Sequence, residues 1–96
     1  MLQLGGLIVF AQSSISGKIT DQAGESIPGA SILIKNSSSG TISDYNGEFK
    51  LEASRGDLLI ISFLGYETLE ISVSSNDPLT IALTEKAFSV LKESFG

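Results

Sequence analysis

The residues whose types and spacing come nearest to chemistry lie between Gly40 and Leu51, where Asp44-Tyr45-Asn46-Gly47 superficially looks like a calcium loop. An EF-hand loop requires glycine at its sixth position and glutamate at its twelfth. Counted from Asp44, those positions hold Phe49 and Arg55. Short polar side chains that bond local backbone, followed by a glycine free to take positive φ, are instead the chemistry of a tight turn. Gly47 is expected at positive φ, and Gly24 likewise if its turn is of the same kind. A cation shared by Asp44 and a neighbouring loop carboxylate is the one metal alternative this stretch leaves open.

Serine is abundant, but the chain has no histidine and no Gly-x-Ser-x-Gly elbow, so only a Ser-Lys arrangement could activate a hydroxyl. Exposed loop and strand serine is the simpler reading. Glu48 and Glu52 could form an acid-base pair, yet they fall on the wet face of one strand with Lys50 between them, which is surface charge. Asn36-Ser37-Ser38 matches a glycosylation acceptor, a short motif with a high chance rate. Tyr66 after Gly65 reads as a corner residue, its ring packed on the sandwich edge and its hydroxyl bonded to backbone. Phe49 and Phe63 read as core. No catalytic, cofactor-binding or metal residue is assigned, no cofactor is expected, and the chain is expected not to be an enzyme.

Composition narrows the classes further. A chain of 96 residues with 42% hydrophobic content can build one small domain around one core. Its net charge of -5, with six Lys and Arg scattered along the chain, argues against nucleic acid, which demands a clustered basic surface. The absence of cysteine and histidine removes disulfides, thiolate sites and the commonest general base.

The elements follow from periodicity. Residues 1–12 are apolar, too short for a membrane span of roughly 20 residues, and fit the apolar core of a signal segment without its basic start. From Ser14 onward the chain is a series of short alternating runs: Ser14 to Asp21, Ala30 to Lys35, a strand at Gly40, Glu48 to Glu52, Leu58 to Phe63, Thr68 to Val73, and Leu79 to Thr84. Turn residues separate them at intervals of about 8 to 12 residues, the pattern of an all-β sandwich. The strands on either side of Asp44-Gly47 are expected to form a central hairpin. Leu58 to Phe63 is apolar on both faces, as expected of a strand in the middle of a sandwich. Residues 14–84 form the expected domain. Residues 85–96, with Phe88, Val90, Leu91 and Phe95 compatible with one short amphipathic helix, form a tail or linker.

With these elements placed, Ser16-Gly17-Lys18-Ile19-Thr20-Asp21, Gly24-Glu25, Ile27-Pro28-Gly29-Ala30, Gly40-Thr41, Asp44, Gly47-Glu48-Phe49 and Leu51 together resemble the carboxypeptidase-regulatory-like domain. The likeness continues through Ile61 to Thr68 and on to Leu83. In particular it is similar to the version at the N-terminus of SusC/RagA-type TonB-dependent outer-membrane receptors. The resemblance implies a seven-stranded Greek-key sandwich of transthyretin-like type, exported to the periplasm or outer membrane and without catalytic residues. It also implies a cell-envelope protein partner, such as a TonB-dependent receptor or its lipoprotein. On that basis the chain is expected to be a detached or truncated receptor domain involved in nutrient uptake. The alternatives are a free-standing secreted sandwich that binds a partner through an exposed sheet edge, and a regulatory appendage of a metallocarboxypeptidase. The tail lacks the usual β-branched run of a TonB-contacting segment.

The alternation of Glu48 to Glu52 yields a direct test. Phe49→Ala is expected to cost roughly 3–5 kcal/mol as a large core truncation, and Glu48→Ala and Glu52→Ala at most about 0.5 kcal/mol each. Urea unfolding midpoints of the three variants check the register; equal small effects would show it to be wrong.

Overall fold

The computed structural model describes residues 14–87; the expected signal segment and the tail from Phe88 onward lie outside the described residues. Seven strands form: β1 (Ser14–Thr20), β2 (Ser31–Ile34), β3 (Gly40–Ile42), β4 (Glu48–Glu52), β5 (Leu58–Ser62), β6 (Leu69–Ser72) and β7 (Leu79–Ala82). They make two sheets, a three-stranded one in the order β4-β1-β7 and a four-stranded one in the order β3-β2-β5-β6. All pairings are antiparallel except β1 with β7, in which the first and last strands run side by side in the same direction.

The core is the inward half of each alternating run. Ile15 and Ile19 of β1, Ile32 and Ile34 of β2, Phe49 and Leu51 of β4, Leu59 and Ile61 of β5 and Ile81 of β7 are buried between the sheets, joined by Ile27, Ala30, Val73 and Leu83 from the connections. Glu48, Lys50 and Glu52 point outward from β4 as expected. Phe63 packs against this core only partly buried, and Leu69, at the start of edge strand β6, is exposed. Gly17 faces Phe49 across the β1–β4 ladder, and a Cβ there would lie 2.7 Å from the phenyl ring. The ring therefore occupies the space that a side chain on β1 would otherwise fill.

Two connections share one construction. In Asp21-Gln22-Ala23-Gly24-Glu25, Asp21 Oδ1 accepts from the N–H groups of Ala23 (2.8 Å) and Glu25 (2.9 Å), and Gly24 N–H donates to Asp21 O (3.1 Å). In Asp44-Tyr45-Asn46-Gly47-Glu48, Asp44 Oδ1 accepts from Asn46 (2.8 Å) and Glu48 (2.9 Å), and Gly47 N–H donates to Asp44 O (2.8 Å). Both glycines take the positive φ that only glycine adopts without strain, 89° at Gly24 and 79° at Gly47. Their surroundings differ. A Cβ on Gly24 would meet nothing within 4 Å, whereas one on Gly47 would lie 2.6 Å from Ile19 O.

The expected central hairpin is not formed. β3 pairs with β2 and β4 with β1, so the turn at Asp44 is an arch that carries the chain from one sheet to the other, and both strands are edges. Bonds beyond the turn decide this. On one side Ser43 N–H donates to Ala30 O (2.9 Å) and Gly29 N–H to Ser43 O (3.0 Å), extending the contact with β2; on the other, Ile19 N–H donates to Gly47 O (2.7 Å), holding the arch to β1.

Ser43 is the key polar residue of this junction. Only 4% exposed, its hydroxyl donates to Ile27 O (2.7 Å) and accepts from Ala30 N–H (2.8 Å), tying the β1–β2 connection to the arch. The stretch after β7 is held at the same pole. Leu83 N–H donates to Thr20 O (2.8 Å), Glu67 N–H to Thr84 O (2.8 Å) and Lys86 N–H to Gly65 O (2.9 Å), so backbone pairing reaches two residues past Thr84.

Ser43→Ala leaves a buried donor and a buried acceptor unpaired, each costing about 1–3 kcal/mol. The variant is expected to lose roughly 2–4 kcal/mol of stability, while Ser37→Ala in the exposed β2–β3 loop changes it by less than about 0.5 kcal/mol. Urea midpoints compare the two, and a neutral Ser43→Ala would remove the knot from its structural role.

Candidate functional site

The side chains that could have carried chemistry are committed elsewhere. One Asp44 carboxylate oxygen is taken up by its own turn. Among the described residues, no group of three or more Asp, Glu, His or Cys side chains is placed to hold a metal ion. Ser43, the buried serine, bonds two backbone groups and no base. Glu48 and Glu52 lie on the outer face of β4, with Glu48 in register with Lys18 of β1. Lys35 and Glu70 approach to 3.9 Å on the outer face of the other sheet, an exposed pair of little energetic weight.

What the fold brings together is an apolar end. Ser31 of β2 stands opposite Ile42 on one side and Ser62 on the other, so the connections leaving β3 and β5 emerge at the same pole. The end of β3 and those connections carry the most exposed large apolar residues of the described chain: Ile42 at 63%, Tyr45 at 87% and Leu64 at 93%. Beside Leu64 is an open groove of about 400 Å³ lined by Gly29, Ser31, Ser62, Phe63, Tyr66 and Lys86. Small residues leave room there, while Phe63 and Tyr66, with ring centroids 5.9 Å apart, supply apolar surface. A second open groove, about 710 Å³, runs by the β4-β1-β7 sheet and mixes Lys18 and Lys50 with Asp44 and Glu48. Among the described residues, no hydrogen bond joins a serine or threonine hydroxyl of either groove to a lysine or carboxylate. The chemistry on offer is apolar and hydrogen-bonding contact with another surface.

Periodicity did not reveal this end, since Ile42 and Leu64 reach the same pole only through strand order. Tyr66 is where the corner reading placed it, half-buried against Phe63 and the core, with its backbone bridged to Glu85. Among the described residues its hydroxyl bonds no backbone group, so that half of the corner reading is not reproduced.

Two packed sheets of short strands, joined in part by turns of the Asp-x-x-Gly-Glu kind, define the chain as a small β-sandwich module. The family model for the CarboxypepD_reg-like domain matches residues 15–93, and the chain belongs to that family. Over 67 residues it is 39% identical to the TonB-dependent receptor SusC of Bacteroides thetaiotaomicron, a match covering 69% of this chain and 7% of the receptor. Over 69 residues it is 38% identical to the TonB-dependent receptor P26 of Formosa agariphila, covering 72% of this chain and 7% of that protein. The chain thus matches about 7% of the length of these receptors. Among solved structures, a type II cohesin-X-dockerin complex from Acetivibrio cellulolyticus contains a chain with TM-score 0.59 and 21% identity, aligned over 74% of this chain and 56% of that one. At that identity the likeness is one of fold.

The surroundings of Tyr66 set a pH dependence. Burial first, then the negative charges of Glu85 and Asp21, hold its phenol above the usual range. A raised folded-state pKa means stability is fully present below the unfolded value and is lost as pH climbs through the folded one. Tyr66→Phe is therefore expected to soften the loss of stability above about pH 10. Urea midpoints of both proteins at neutral and alkaline pH test it, and an identical alkaline decline in the variant would clear Tyr66 of that role.

Proposed function

We propose that this chain is a non-enzymatic, exported accessory domain that serves a SusC-like TonB-dependent receptor in nutrient uptake, working through protein contact. The observation that carries the reading is the 39% identity to SusC across 69% of the chain. The exposed Ile42, Tyr45 and Leu64 at one pole support it, since apolar side chains there offer area for a partner to bury. In this reading residues 14–84 are the working unit, residues 1–12 belong to its export signal, and residues 85–96 lead away from it. The unit acts in the periplasm or at the outer membrane and has no catalytic, cofactor or metal residue of its own.

The test is a domain exchange. Residues 14–87 replace the matching segment of the Bacteroides thetaiotaomicron receptor, beside a receptor from which that segment is deleted. The exchanged receptor is expected to reach the outer membrane and support receptor-dependent growth better than the deletion. An exchange that behaves like the deletion, with the inserted domain folded, would overturn the reading. So would turnover of a peptide or glycan by the purified chain that a single substitution abolishes.

A further inference from the structure

The arch between the sheets contains an Asn-Gly dipeptide, Asn46-Gly47, the one such pair in the chain. In this dipeptide the glycine nitrogen, unshielded by a side chain, can attack the asparagine side-chain amide carbon. A bond forms from Gly47 N to Asn46 Cγ, ammonia leaves, and a five-membered succinimide results. Water then opens the ring at either carbonyl. One product has aspartate in place of asparagine; the other is an isoaspartyl residue, whose main chain runs through Cβ and is one atom longer. The balance is one water consumed and one ammonia released, with no oxidant or reductant.

The fold restrains each participant in that reaction. Gly47 N–H, the attacking group, donates to Asp44 O at 2.8 Å, which fixes both its proton and its direction. The Asn46 N–H is held by Asp44 Oδ1 at 2.8 Å, and the same oxygen takes the Glu48 N–H at 2.9 Å. Beyond the peptide, Gly47 O accepts from Ile19 N–H at 2.7 Å, and the glycine packs so closely on β1 that a Cβ would lie 2.6 Å from Ile19 O. Ring closure requires the 46–47 peptide to rotate, so the turn must open and its contact with β1 must break. An added main-chain atom at residue 46 would shift the Gly47 and Glu48 N–H groups off Asp44 and Gly47 off β1.

The twin turn separates reactivity from structure. Asp21 to Glu25 makes the same three bonds with Ala23 at the position of Asn46. The turn therefore does not need the asparagine amide. We propose that Asn46-Gly47 is a self-modification site gated by folding: closed in the native arch, reactive whenever the arch is open, and yielding an isoaspartyl product that cannot return to the native arch. A chain that lingers unfolded is then marked irreversibly, while a folded one is spared.

The full chain is incubated at mildly alkaline pH, folded in buffer or unfolded in urea, and the peptide from Asn36 to Lys50 is followed by mass spectrometry with its products resolved. Each factor of ten in protection corresponds to about 1.4 kcal/mol of opening free energy, and deamidation at Asn46 is expected to be at least about tenfold slower in the folded chain. Equal rates in the two states would overturn the gate. Asn46→Ala, which gives the arch the residue its twin turn carries at the same place, is expected to refold fully after the same urea treatment. The isoaspartyl fraction of the natural chain, separated from the aspartyl fraction, is expected not to recover the native unfolding midpoint. Its full recovery, or an equal loss of refolding in Asn46→Ala, would refute the proposed trap.

Discussion

The sandwich depends on one buried hydroxyl. Ser43 stands where the chain passes from the four-stranded sheet to the three-stranded one, and its oxygen both donates to Ile27 and accepts from Ala30. A junction between sheets is where ladder bonding stops and backbone groups would be buried unpaired. One small side chain with a donor and an acceptor satisfies two such groups at once. A threonine would add a methyl group to a packed site, and an alanine would supply neither bond. Around this point the Pro28-Gly29 connection, the start of β2 and the end of β3 are held together, and the apolar end with Ile42, Tyr45 and Leu64 is built on the same junction.

Much of the fold was legible in the sequence because strands with one buried face announce themselves. Phe49 and Leu51 against Glu48, Lys50 and Glu52 place both the strand and its orientation, and Gly47 takes the positive φ its turn requires. Partner choice was less legible. The bonds within the Asp44 to Glu48 turn suit a hairpin as well as an arch, and the choice is made by pairing with β2 and β1, at Ala30 and Ile19, far away in sequence. Ser43 was hidden for the same reason, being one serine among many until strand order buries it. Leu58 to Phe63 was read as apolar on both faces for the middle of a sandwich. In fact one face of β5 packs inward through Leu59 and Ile61, while the other, with Ile60, lies half-covered beside exposed Leu33.

The apolar end was the least legible part. Residue types narrowed the catalytic classes, since a chain without histidine or cysteine has few ways to activate a nucleophile. A contact surface has no comparable residue signature. Its members are ordinary apolar side chains that strand order sets at one pole. A legible signal did lie in the repeated Asp-x-x-Gly-Glu pattern at Asp21 and Asp44, which marks two turns of identical bonding and shows which of their side chains are free to vary.

The parallel pairing of β1 with β7 has a mechanical consequence. Because the two strands run the same way, the described chain enters beside Ser14 at one pole and leaves beyond Lys86 at the other. Tension applied along the chain would pull these neighbours past one another. The bonds joining Gly17 to Leu79 through Thr20 to Ala82 would be loaded together in shear, instead of being unzipped one at a time from an end. Resistance to force is set by the unfolding rate rather than by equilibrium stability. A module threaded this way is thus suited to sit in line between two pulling attachments and to keep its shape under the load.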